Sequence, residues 1–513
     1  MDPLAPRTIL IGTPQSCRSL AAALATLTPP PPIDGMVTLD GITAPPPSSL
    51  VASGQSQVPS PALPLLGSVH TVGLICRQRG IKRAIVTLPA RHRAWHAEIS
   101  RQLRAEGVAE RVVRPLDEQL AESPAVPAGS VTSYNGIDLA ELVGRTPHDI
   151  DEHLVAGCIR GKTVLVTGAG GSIGSELVRR IARFAPERIV LMERSENALF
   201  EIDRQLAETC PGVARTAVMH DVVDAERTLA HLERFRPHVV FHAAAHKHVP
   251  LMEDHPAHAV TNNLFGTKSI ADAAVACGAE RFVLISTDKA VNPASVMGAT
   301  KRLAEWYVQA LAPRVQTKMS MVRFGNVLGS NGSVLTIWAE QVARGGPITV
   351  TDERMTRFFM TIPEAATLVL QAGAMAGQQG RAGEVFVLDM GEPISIVTLA
   401  KRFIRACGHE PAVAMSATGA GPIDHRIPIV ISGARPGEKL HEQLSYDAEE
   451  LCTTAHPGIW RLDSETAPTA DAVEAMVEDL SQAKEHRSRR VVLDAMARHL
   501  PGLAAGAKIT AAA

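Results

Sequence analysis

The chain has little of what marks several large protein classes. Its seven cysteines (17, 76, 158, 210, 277, 407 and 452) contain no Cys-x-x-Cys pair, which argues against a disulfide framework or a thiolate zinc site and fits a reducing compartment. No run approaches the roughly 18 apolar residues of a spanning helix, and Met1-Asp2-Pro3 lacks the basic-then-apolar order of a signal peptide. A cytoplasmic protein without an integral membrane segment is therefore expected. There is no basic excess either: the formal charge is -2, which argues against a nucleic-acid partner. What is present is 513 residues, 45% of them hydrophobic, enough for two or three globular domains.

Composition shifts divide the chain. Residues 1–120 alternate strand-like and helix-like pieces: Thr8–Gly12 as a strand, Ser19–Leu27 as a helix, Arg83–Leu88 as a strand and Trp95–Glu106 as an amphipathic helix. Proline clusters at 29–32 and 45–47, with a Ser/Gly/Gln run at 52–60, predict loop over much of residues 1–70. This is the pattern of a small, degenerate Rossmann-like α/β domain ending near Glu118. Its turn, Gly12-Thr13-Pro14-Gln15-Ser16, lacks the later glycines of a dinucleotide cradle, so an assembly or regulatory module without nucleotide is expected. Residues 121–160 read as a connector packed on both neighbours. Residues 161–460 form the principal domain, and 461–513 terminal helices (periodic over Thr466–Leu500) with a frayed tail from Gly506.

The principal domain opens on the strongest signal. Lys162–Thr167 is a β-branched strand, and Gly168-x-x-Gly171-x-x-Gly174 follows it, before a helix expected over Ser175–Phe184. Such glycines let backbone approach a pyrophosphate, whose charge a helix N-terminus stabilises. The cofactor site is read as Thr167, Gly168, Gly171, Ser172, Ile173 and Gly174. A second strand, Arg188–Met192, ends in Glu193, about 20 residues beyond the cradle and placed to accept ribose hydroxyls. That favours NAD over NADP, although Arg194 and Ser195 suit a 2′-phosphate. His220, Asp221 and Val222 close the next strand near the adenine edge, and Ala243, Ala244 and Ala245 let a cofactor lie close to the following one. Phe282–Lys289 reads as a fifth strand ending in four polar groups, Ser286, Thr287, Asp288 and Lys289, that face the nicotinamide and substrate. The fold class is therefore α/β, a doubly wound parallel Rossmann sheet preceded by a smaller Rossmann-like domain.

These stretches, with His242–Glu253, Ile285–Lys301, Arg323–Ser330, Met355–Glu364 and Arg435-Pro-Gly-Glu-Lys439, resemble the polysaccharide-biosynthesis nucleotide-sugar dehydratases. The likeness is to the long branch of UDP-N-acetylglucosamine 4,6-dehydratases, in the extended short-chain dehydrogenase superfamily. It is close over about residues 136–460. Long members usually begin with transmembrane helices, which are not found here. The resemblance implies a UDP-sugar substrate, retained NAD and a place in surface polysaccharide or glycan biosynthesis, in a homo-oligomer. It also implies an internal redox cycle: C4 oxidation, elimination of water across C5 and C6, and hydride return to C6.

On that resemblance Thr287 bonds the C4 oxygen, Asp288 is the acid at C6 and Lys289 the base at C5, the last requiring a partly neutral amine promoted by desolvation or by a cation such as Lys301. Met297 stands where the superfamily's tyrosine base is expected, one helical turn before Lys301, so both are placed on the cofactor side. A thioether exchanges no proton, so the proton traffic is assigned to the Thr287 group, while Lys301 keeps a ribose-binding role; a catalytically silent homologue is the other reading. Lys247 and His248 are assigned to the sugar-diphosphate site. Arg323, Asn326, Arg357, Arg435 and Glu438 are candidates for diphosphate and uridine, each arginine alternatively a surface or structural ion pair. The histidines at 242, 246, 248, 255 and 258 have no fixed ligand geometry, and no metal is expected. Asn262 and Asn263 fit helix packing or ordering of the active-site strand equally. A nucleotide-sugar epimerase is the nearest enzymatic alternative.

Overall fold

The computed structural model describes residues 7–25, 32–39, 63–88, 94–113, 115, 133–134, 137–330, 332–378, 380–413, 426–446, 449–463, 468–486 and 488–503. Outside them lie residues 29–31 and 45–47 of the proline clusters, the 52–60 run, the boundary expected near Glu118, residues 121–132 of the expected connector and the tail from Gly506. The chain divides into two compact units, Met1–Val126 and Pro127–Ala513.

In the first unit β1 (Thr8–Gly12), β2 (Ile33–Thr38), β3 (Leu65–Ser68), β4 (Arg83–Thr87) and β5 (Ala109–Val112) make a parallel sheet in the order β3-β2-β1-β4-β5. Alternation along β1 sends Ile9 and Ile11 to one apolar cluster and Leu10 to another, so both faces are covered. Two strands, β2 and β3, lie within the span read as mostly loop; β2 is held by burial of Met36 and Val37. The first helix runs Pro14–Ala25 and not from Ser19, because proline at the first helical position already has a helical φ.

The second unit is built on β6 (Thr163–Thr167), β7 (Arg188–Glu193), β8 (Arg215–Met219), β9 (Val239–His242), β10 (Arg281–Ile285), β11 (Lys318–Arg323), β12 (Glu384–Leu388), β13 (Glu450–Thr453) and β14 (Ile459–Asp463). Their order is β8-β7-β6-β9-β10-β11-β12-β14-β13, parallel through β12 and antiparallel at the last two pairings. Strand order reverses between β6 and β9, the crevice where doubly wound sheets take ligands. Fully buried strands again sort their side chains by parity: Val164, Val166, Ile189, Leu191, Val239 and Phe241 enter one core, while Leu165, Val190, Met192 and Val240 enter the other.

A smaller layer supplies the outer wall. Ile348–Val350, Glu410–Val413 and Arg426–Ile431 form a three-stranded parallel sheet, packed with the helices Val334–Ala343 and Ile396–Ala406 around Trp338 and Phe403. Within residues 137–160, Arg145 pairs with Glu364 at 2.8 Å, His148 with Asp389 at 2.9 Å, and Arg402 donates to the carbonyls of Leu142 and Val143. That segment is thus fastened to the second unit. Helices Ala470–Lys484 and Arg489–His499 join the larger core through Met476, Leu480 and Met496. Among the described residues, no helix is long and apolar enough to cross a membrane.

Candidate active site

At the crevice the chain leaves β6 through Gly168, whose φ of +63° favours glycine and whose Cβ would lie 2.8 Å from the Ala244 nitrogen and 2.9 Å from the Ala243 carbonyl carbon. A Cβ on Gly174 would overlap the Gly168 carbonyl oxygen. The helix starts at Ser172, three residues before the expected Ser175, with Gly171 as an N-cap that offers no side chain. Glu193 is fixed by the turns around it: one oxygen accepts from the Gly170 amide at 3.2 Å, the other from the amides of Arg194 and Ser195 at 3.0 Å each. The glycine turn leads into a helix N-terminus with no side-chain cap, and an oriented carboxylate stands at the end of β7, so the residues fit a dinucleotide.

Gly168, Gly171, Glu193, Arg194, Asp221, Val222, Ala243, Ala244 and Ala245 all line one cleft of about 200 Å³. His220 lines it as well, and so do Met192 and Asn262, which were not assigned to it from sequence. Thr167, Ser172, Ile173, Gly174 and Lys301 do not line it. Thr167 is buried and its hydroxyl meets His242 Nδ1 at 2.7 Å; burial pushes His242 down to about 3, so this imidazole is a neutral structural bridge, reaching Thr267 at 3.1 Å on its other side. Among the described residues, no cluster of three or more His, Cys, Asp or Glu could hold a metal.

A π-helical turn, Val260–Phe265, carries Asn262 and Asn263. Asn262 Oδ1 accepts from Arg194 at 3.3 Å, and Arg194 also lies 3.6 Å from Asp221. Asn263 accepts from the His246 amide at 2.8 Å and donates to the His246 carbonyl and, at 3.0 Å, to the Thr300 hydroxyl. It therefore ties the loop after β9 to the helix Val296–Leu311.

The fifth strand is shorter than the sequence predicts. It stops at Ile285, and Thr287 caps a 3-10 turn, Asp288–Ala290. Ser286 turns away, donating to Glu305 at 2.6 Å, so three polar groups and not four remain at this strand end. Asp288 is fully buried: Oδ1 accepts from the Thr287 hydroxyl and from Lys289 Nζ, both at 2.9 Å, while Oδ2 has no hydrogen-bond partner. Glycine at 325 leaves that oxygen its space, since a Cβ there would sit 3.2 Å from Oδ2 and 2.9 Å from Phe358 Cβ.

Burial opposes a charge on Lys289, but the Asp288 carboxylate and then Glu442 outweigh it and hold its pKa above the ordinary lysine range. The neutral amine that a base at C5 requires is therefore not favoured by the resting arrangement, in which two carboxylates oppose desolvation. The amine that burial does push down, to about 8, is Lys301, which donates to the Ile285 carbonyl at 2.6 Å. Met297 is 4% exposed and packs in the larger apolar core; like Thr287 and Asp288, it lines neither the cleft nor a second cavity.

That cavity, about 150 Å³, is lined by Lys289, Asn326, Arg357 and Glu438, as well as by Val249, Ser295, Lys439 and Glu442. Asn326 accepts from Lys289 at 3.3 Å. Arg357 is anchored by donating to the carbonyls of Thr356, Lys439 and Leu440. Lys247 and His248 precede the lining residue Val249 without lining the cavity themselves; burial lowers the pKa of both. Arg435 is exposed and outside the cavity, its amide donating to Glu438 at 3.2 Å. Arg323 is no ligand residue: it is fully buried, bonded to Glu305 at 2.8 Å and Glu449 at 3.0 Å. Lys439 and Glu442 were missed although Lys439 ends the quoted Arg435–Lys439 motif; only the fold shows that this segment lies against the Asp288–Ala290 turn, through Lys439 Nζ on the Val291 carbonyl at 2.7 Å and the Tyr446 hydroxyl on the Ala290 carbonyl at 3.1 Å.

Fold and crevice together define an extended short-chain dehydrogenase-type Rossmann domain. The chain belongs to the polysaccharide biosynthesis protein family, whose model matches residues 164–464. It is 43% identical over 404 residues to the probable polysaccharide biosynthesis protein EpsC of Bacillus subtilis (strain 168), a match spanning 77% of this chain and 63% of that protein, less than two thirds of its length. It is 30% identical over 319 residues to a UDP-N-acetylglucosamine 4,6-dehydratase (inverting) of Campylobacter jejuni, covering 60% of this chain and 86% of the relative. Among solved structures, Pen from Bacillus thuringiensis superposes with a TM-score of 0.51 at 27% identity, over 63% of this chain and 99% of that one.

Proposed function

We propose that the chain is a nucleotide-sugar 4,6-dehydratase that binds NAD and converts UDP-N-acetylglucosamine to a UDP-4-keto-6-deoxy sugar for surface polysaccharide. The observation that carries this reading is the Thr287-Asp288-Lys289 turn, an acid and a base in contact, with Lys289 lining a cavity that Arg357 and Lys439 also line. The Campylobacter relative named as such a dehydratase supports the substrate. NAD, when bound, supplies the reversible oxidation at C4. Glu193 favours it over NADP, because its carboxylate would repel a 2′-phosphate and Arg194 is engaged by Asn262 and Asp221.

The residues divide the remaining work. Thr287 orients the sugar C4 hydroxyl. Elimination needs a proton at the departing C6 oxygen and a base for the C5 proton, which the C4 ketone acidifies. In the resting site the proton is on Lys289. Moving it across the 2.9 Å contact to Asp288 Oδ1 produces in one step a neutral amine for C5 and a carboxylic acid for C6. The ion pair and the acid–base pair therefore differ only by where one proton sits. Lys301 contributes positive charge near the end of β10, and Met297 supplies packing where a proton-exchanging side chain would serve simple alcohol oxidation.

Incubation of the purified chain with UDP-N-acetylglucosamine, followed by mass spectrometry, tests the reading: loss of one water is expected, and an unchanged mass overturns it for this sugar. Relatives named UDP-glucose 4-epimerase, 31% identical over 288 residues in Rickettsia prowazekii, make an isomer of unchanged mass the competing outcome.

A further inference from the structure

The second acidic residue of the substrate cavity has no assigned role. Glu442 follows the Arg435–Lys439 motif, its side chain is 4% exposed, and it lines the same cavity as Lys289, Asn326, Arg357 and Lys439. Its Oε2 atom is fully buried and has no hydrogen-bond partner. The nearest cations do not satisfy it: Lys439 Nζ is 3.8 Å from Oε2, and Arg357 is 3.9 Å from Oε1, both beyond hydrogen-bonding distance. Those cations direct hydrogen bonds elsewhere, Lys439 to the Val291 carbonyl and Arg357 to three backbone carbonyls. Lys289 likewise bonds Asp288 and Asn326.

A buried carboxylate oxygen without a donor is costly, and the exceptions found in folded proteins call for a group that supplies the missing bond. Within this cavity the cations match a diphosphate, which carries acceptors alone and cannot meet Glu442. A sugar ring carries hydroxyl and amide donors. Lys289, whose charge Glu442 supports, marks the sugar end of the cavity under the dehydratase reading.

Resting on that reading, we propose that Glu442 is a specificity-determining residue, its free carboxylate oxygen accepting a hydrogen bond from one donor, a hydroxyl or the acetamido N–H, on the hexose ring of the nucleotide sugar. It would fix the ring so that C5 faces Lys289 and C6 faces Asp288. The cavity then discriminates between sugars that carry this donor and those that lack it.

Binding of UDP-N-acetylglucosamine, of UDP, and of UDP-sugars each lacking one ring donor is measured by calorimetry on the full chain and on Glu442→Gln. The variant should bind UDP-N-acetylglucosamine about 10- to 100-fold more weakly, the loss of a charge-assisted hydrogen bond, with UDP affinity unchanged. One analogue should bind wild type and variant alike, and wild type should already bind that analogue correspondingly more weakly. This last arm needs no variant, so misfolding of Glu442→Gln leaves the test intact. Equal losses on UDP and on the UDP-sugar, or a wild type indifferent to every missing donor, overturn the assignment alone. Failure of wild type to bind UDP-N-acetylglucosamine overturns the substrate reading and the assignment together.

Discussion

The two units carry the same sheet start and treat it in opposite ways. In each, a central first strand ends in glycine or runs into one, flanked by parallel strands in the order 3-2-1-4-5. In the first unit the turn is filled by its own side chains. Ser16 donates to the Thr87 carbonyl at 2.6 Å, Thr13 caps the Ser16 amide at 3.2 Å, the helix begins at once with Pro14, and a Cβ on Gly12 would overlap the Thr87 carbonyl oxygen. In the second, four residues separate β6 from Ser172, and no side chain caps the helix. Buried polar groups differ in kind as well. Among the described residues the first unit buries hydroxyls at Thr8, Ser16, Thr38, Thr87 and Ser100, while the second buries charges including Asp288, Lys301, Glu305 and Arg323. One topology thus yields a closed turn or an open one, according to whether hydroxyls or glycines follow the strand.

The largest effect expected from this contrast is at Gly168. Gly168→Val places a branched side chain against the Ala243–Ala244 backbone at positive φ, and should abolish dinucleotide binding in fluorescence titration and destabilise the second unit by about 2–3 kcal/mol. Retained binding would show that the open cradle is not the cofactor site. Next, Asp288→Asn and Lys289→Ala should each lower the dehydration rate by about 10³-fold, in the range for general acid–base groups, with dinucleotide affinity kept.

A smaller effect tests the buried charge. Lys301 is held by burial at about 8, against 10.5 for an ordinary lysine. Between those values the unfolded chain binds the proton that the folded one has lost, so this group adds stability as pH rises through about 8 to 10.5, and its full penalty applies below 8. Relative to Lys301→Met, wild type should gain about 2 kcal/mol between pH 8 and 9.5 in denaturant titrations. Equal pH dependence of the two would contradict it. Smallest is Ser16→Ala, expected to cost about 1 kcal/mol in the first unit and to leave dinucleotide stoichiometry at one per chain. A stoichiometry of two in wild type would break the contrast between the turns.

What sequence could show of this was local. The β6 strand, its glycines and Glu193 lie within about 30 residues and obey short-range rules, and Gly168, Gly171 and Glu193 line one cleft. The misplaced readings depended on distant partners. Ser286 and Arg323 turn to Glu305, which lies 19 and 18 residues from them, and Arg323 also to Glu449, 126 residues away. The charge on Lys289 is decided by Glu442 as well as by its neighbour Asp288, and the reach of Lys439 to Val291 spans 148 residues. β2 and β3 escaped notice because proline-rich surroundings mask short strands that tertiary pairing alone sustains.

The π-helical turn at Val260–Phe265 sets a tolerance on chain length. Such a turn holds one residue more than an α-helical turn, so deleting a single residue there would let the helix relax to regular geometry and rotate everything before it by about 100° relative to everything after. Asn262 and Asn263, one peptide bond apart, would then lose their separate addresses at Arg194 and Thr300. The spacing of this helix is a vernier, in which one surplus residue keeps Asn262 on Arg194 and Asn263 on Thr300 at the same time.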